Sequence, residues 1–72
     1  MTRFIRLTNN WDKHKGNPVY ININHISSFF NDIREDTGME RTVVYSIKSD
    51  TMWEVEESAS EIYRKILEVT EK

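Results

Sequence analysis

The apolar pattern of this chain changes its period once. Through residue 55 apolar and polar side chains alternate over short runs, the period-two signature of half-buried strands. Beyond it Ala59, Ile62, Ile66 and Val69 recur at spacings of three and four, which is one stripe of a helix. Five short strands followed by one helix are therefore expected, in the order β-β-β-β-β-α. The expected class is α+β: a small, mostly antiparallel five-stranded sheet or open barrel with the helix on one face.

Residues 3–8 (RFIRLT) put Ile5 and Leu7 on one face and Phe4 and Arg6 on the other. Residues 9–17 are rich in turn formers and end at Gly16-Asn17-Pro18, a strong break. Residues 19–23 alternate, with Val19, Ile21 and Ile23 inward and Tyr20 and Asn22 outward. Residues 24–27 form a turn or 3₁₀ corner, with Asn24 expected to bond the backbone two residues on. The third strand covers residues 28–34, with Phe29 and Phe30 on opposite faces. Residues 35–40 form a hairpin loop in which Gly38 takes positive φ. The fourth strand covers residues 41–48, with Val43, Tyr45 and Ile47 on its inner face. Ser49-Asp50 turns the chain into a fifth strand, residues 51–55, with Trp53 and Val55 inward. Ser58 and Glu61 have capping-box spacing, and Tyr63 and Leu67 widen the helical stripe.

A chain of 72 residues allows one domain, residues 1–72. Its eight aromatic residues (Trp 2, Tyr 3, Phe 3) are available to anchor a core. So short a chain buries only about 60% of its unfolded surface, which favours self-association into a homodimer or larger oligomer. With no cysteine, disulfides and Cys-ligated zinc are excluded. No apolar run has the roughly 20 residues needed to cross a bilayer, and the charged N-terminal segment is not a signal peptide. The compartment expected is the cytoplasm, with no membrane partner. A net charge of −2 argues against a general nucleic-acid binder.

No catalytic or cofactor site can be written from these residues. His14 and His25 have only Asp12 and Asn24 nearby, too few for a metal site. His25 lies close to Ser27 and Ser28, but no motif positions a nucleophile against a base. Two glycines allow neither a P-loop nor a dinucleotide fingerprint. Asp50, Glu54, Glu56, Glu57 and Glu61 form an acidic cluster that a metal or a basic partner could use, but the stronger reading is an exposed strand face followed by favourable charges at the helix start.

Residues 9–18 are the more informative segment. They carry Trp11, Lys13, His14 and Lys15, an aromatic and basic set that stacks on a nucleotide and holds a phosphate, or anchors a protein contact. Alternatively, Trp11 folds back to plug an open end of the sheet. Arg6 and Tyr20 extend the candidate binding set. Phe4, Tyr20, Phe30 and Val44 are expected on the face away from the helix, where an apolar surface marks an interface.

Residues 4–8, 16–22 and 25–26 resemble the opening of the small flagellar FlbD-like proteins. Residues 53–58 with Glu61-Ile62 are similar to their closing Val-x-Glu-Ser and short helix. Similar short proteins recur in phage and bacterial genomes. The chain departs from that type in the loop at residues 9–18 and the hairpin at residues 32–41, two additions that suggest a binding task of its own. The strand pattern is also similar to the core of LytTR domains, which implies DNA binding. Residues 3–15 carry four basic groups and one acidic group, about +3, enough for a local patch.

Three functions are thus in view. The first is a non-enzymatic protein-interaction module acting as a homo-oligomer. The second is a phage-type protein that sequesters a nucleotide-like signal between subunits. The third is a LytTR-like DNA binder. None needs a cofactor or a metal.

Overall fold

A computed structural model describes residues 3–48 and 51–70. The order is β1 (Phe4–Thr8), β2 (Pro18–Asn22), a 3₁₀ turn (Ile23–His25), β3 (Ile26–Ile33), β4 (Glu40–Ser46), β5 (Met52–Val55) and α1 (Ala59–Thr70). All strand pairings are antiparallel. The strands form two sheets, β1-β2 and β3-β4-β5. They meet at a bridge between Asn9 and Val55, supported by Asn10 N–H to Glu54 C=O and Glu56 N–H to Thr8 C=O, both 2.9 Å. Glu57 reinforces the seam, accepting from the Thr8 amide and hydroxyl at 2.8 Å each.

The inward residues of both sheets meet α1. Ile5, Leu7, Ile21, Val44, Val55 and Ile62 form the core, with Val19, Ile23, Phe29, Trp53, Ile66 and Val69 packed around it. The helix starts in the expected capping box: the Glu61 amide donates to Ser58 Oγ at 3.2 Å, and the Glu61 carboxylate accepts from the Ser58 amide. The Asn31 side-chain oxygen accepts from the Ala59 amide at 3.1 Å, fixing the helix start against β3.

Several expectations change. The core is aliphatic: none of the eight aromatic residues is buried, and Phe29 and Trp53 reach only its margin. On β4 the inward residue is Val44, fully buried, not Tyr45 or Ile47, which are exposed. Register explains this, because Val44 lies between Phe29 and Trp53, whose side chains already face the helix. Val44 is therefore removed from the proposed interface. Val43 is buried too, on the opposite face, between Phe30 and Glu54. Tyr63 lies outside the helical stripe, exposed. It is Asn22, not Asn24, that holds the 3₁₀ turn, its side-chain oxygen accepting from the Asn24 amide at 2.9 Å. The Ser49-Asp50 turn lies outside the described residues.

Candidate binding surface

The loop after β1 is an ordered extension of the hairpin. The Asn9 amide donates to Asn17 C=O and the Gly16 amide to Asn9 C=O, at 2.8 and 2.9 Å. Gly16 closes it at φ +88, a backbone conformation that disfavours residues with a Cβ. Two turns fill the tip: His14 N–H to Trp11 C=O, and Asn17 N–H to His14 C=O. Trp11, Lys13, His14 and Lys15 all lie exposed there. Trp11 keeps 48% of its surface in solvent, so it does not plug the sheet. Further down the hairpin Arg6 and Tyr20 are directly opposite each other on the outer face of β1-β2, diagonal to Phe4.

The candidates do not converge on one cavity. Lys15 alone of the loop's Trp11, Lys13, His14 and Lys15 lines a recess of about 260 Å³ between this loop and the β3-β4 hairpin, with Asn10, Arg34, Asp36, Met39 and Glu54. The two segments set apart from the FlbD-like pattern are thus brought side by side.

Their junction is an ion cluster that sequence reasoning missed. Glu54 is not on an exposed acidic face; it is 2% exposed. Its carboxylate accepts from Arg41 at 3.1 Å and Asn10 Nδ2 at 3.2 Å, with Arg34 at 3.8 Å. Arg41 also bonds Asp32 at 3.0 Å, and Arg34 bonds Asp36 at 3.1 Å. These arginine hydrogen bonds hold the Asp32 and Asp36 carboxyls below the ordinary carboxylate range, and Asp32 and Glu54 raise Arg41. The one legible signal was the hairpin itself, whose register sets Asp32 opposite Arg41. With both carboxylate oxygens engaged, Glu54 serves as a clamp between hairpin and loop.

Beside this cluster the Phe30 and Tyr45 rings stack on the outer face of β3-β4-β5, centroids 5.6 Å apart. His14 and His25 are exposed, and among the described residues no three His, Cys, Asp or Glu side chains form a metal-holding group. No helix of the described residues is long and apolar enough to cross a membrane. Comparison with protein-family models, curated proteins and solved structures returns no match.

Proposed function

We propose that this chain is a small non-enzymatic protein-interaction module of the cytoplasm that works as a homo-oligomer, with a ring-rich exterior as its contact surface. One observation carries the reading: six of its eight aromatic residues (Phe4, Trp11, Tyr20, Phe30, Tyr45, Tyr63) are exposed and none is buried. Aromatic side chains carry the largest hydrophobic gain on burial and are enriched at interface centres. A chain that closes its core with Ile, Leu and Val keeps that gain for a partner. In this reading the two sheets, joined at Asn9 and Val55, work as one open barrel.

Native mass spectrometry of the protein, purified without refolding, tests it. An oligomer at bare polypeptide mass is the expected result, followed by pull-down with wild type and Trp11→Ala. A monomer that captures no protein overturns it.

A second reading has its own support. Arg6 and Tyr20 are cross-strand partners on one face of β1-β2, a cation and an aromatic ring at one register position that would hold a phosphate and stack a base. Sequestration of a nucleotide-like signal between subunits predicts retained mass in the same spectrum. It also predicts heat on titration with cyclic and adenine nucleotides; no heat with any of them removes it. The DNA-binding alternative rests on the basic residues 3–15 and predicts binding that falls steeply with salt.

A further inference from the structure

We infer that two copies of this chain associate through β3, strand edge to strand edge, about a two-fold axis at Phe30. The inference rests on the homo-oligomer reading and says where the contact lies. Among the described residues β3 has a hydrogen-bonded neighbour on one side only, β4. It runs for eight residues, none buried and five exposed. Natural edge strands are blunted by Lys, Pro, short length or bulges. β3 has no Lys, Arg or Pro, and its one irregularity lies at the Ile26/Ser28 end. The edge strand of the other sheet, β2, has five residues and starts with Pro18.

The hydrogen-bond phase shows which groups are on offer. The Arg34 amide donates to Met39 C=O at 2.9 Å, one step beyond the Ile33–Glu40 pair. Bonded and non-bonded pairs alternate in an antiparallel ladder, so Asp32 and Phe30 share the bonded phase with Arg34. The N–H and C=O groups of Phe29, Asn31 and Ile33 then point outward.

Side-chain complementarity selects a second copy and its register. A two-fold axis normal to the sheet keeps outer face against outer face, so the axis must pass through a residue. Centred on Asp32, two carboxylates oppose, which is destabilising. Centred on Asn31, Phe30 opposes the partner's Asp32. Centred on Phe29, Asp32 opposes the partner's Ile26. Centred on Phe30, ring opposes ring, and Ser28 faces the partner's Asp32. Arg41 uses only Oδ2 of that carboxylate, leaving an acceptor for the Ser28 hydroxyl. The Phe30–Tyr45 stacks of both copies then form one four-ring cluster across the joined sheets.

The sequence has no cysteine, so single-cysteine variants of the full chain report the geometry. At a non-bonded antiparallel pair the Cα atoms are about 4.5 Å apart, within the roughly 4.4–6.8 Å of a disulfide. Under mild oxidation Phe30→Cys is expected to form a covalent dimer and Tyr20→Cys, on the other sheet, is not. Phe30→Lys sets like charges at the axis and is expected to raise the dimer dissociation constant roughly tenfold or more with the circular dichroism spectrum unchanged. Tyr20→Lys is expected to leave that constant alone. A wild-type oligomer in which Phe30→Cys links no better than Tyr20→Cys overturns the β3 pairing and leaves self-association standing. A wild-type monomer at tens of micromolar overturns both, and so covers the case where β3 accepts a foreign peptide instead.

Discussion

The two faces of the β3-β4-β5 sheet are closed by different means. On the inner face Val44 and Val55 meet Ile62 in an aliphatic core with no polar partner required. On the outer face Val43 is equally buried, yet its flanking residues are Phe30 and Glu54. There the cover is a pair of stacked rings and a carboxylate clamped by arginines. The inner face depends on apolar packing and on neutral hydrogen bonds such as those to the Asn31 side-chain oxygen, none of which titrates. The outer face depends on charge pairing and on rings half open to solvent, which leaves it both tunable and able to meet a partner.

Ile62→Ala strikes the inner face hardest. Emptying the one fully buried helix position should cost about 3 kcal/mol, a large part of the stability of so small a domain, read by urea denaturation. Glu54→Ala strikes the outer face. It leaves Arg34 and Arg41 without their shared acceptor, but these side chains are 33% and 27% exposed and can rehydrate, so the loss should be about 2 kcal/mol. If Glu54→Ala costs nothing, the clamp is not what closes the outer face. Phe30→Ala should cost about 1–2 kcal/mol in the monomer, the stacked pair plus the half of the ring that is covered over Val43, while weakening self-association. Trp11→Ala should leave stability within about 0.5 kcal/mol of wild type and reduce partner capture.

Acid separates the faces with the smallest effect. Asp32 and Asp36 are lowered by Arg41 and Arg34, so their contribution is complete above the ordinary carboxylate value of about 4. It is lost as pH falls below that value through their lowered folded-state values. Both pairs are open to solvent, so the decline should be shallow and weaker still in high salt. In Glu54→Ala the acid decline should persist. An unchanged stability down to about pH 2 would remove the charge pairs from the outer face's cover.

Much of this was legible from local pattern. Ile5 and Leu7 alternate with Phe4 and Arg6 as the period of a strand requires, and Gly38 takes the positive φ, +71, that its hairpin loop needs. Ser58 and Glu61 cap the helix at their expected spacing. Failures came where two neighbours were equally apolar or where a charge found its partners far along the chain. Val43 and Val44 cannot be told apart by alternation; cross-strand register with Phe29 and Trp53 decides. Glu54 looked exposed because its three partners, Asn10, Arg34 and Arg41, are 44, 20 and 13 residues away. The candidate binding residues were readable as types, but of the binding set only Arg6 and Tyr20 are paired across a ladder.

By itself, then, the sequence determined the elements, the cap of α1, the Gly38 loop, and the inward stripes of β1, β2 and α1. Each depends on hydrogen bonding and apolar spacing within a few residues. Tertiary structure alone decided that the aromatic residues stay outside the core, that Glu54 is buried, and that β3 keeps an open edge. These depend on which surface reaches which, and burial is settled only when the neighbouring element arrives to exclude water.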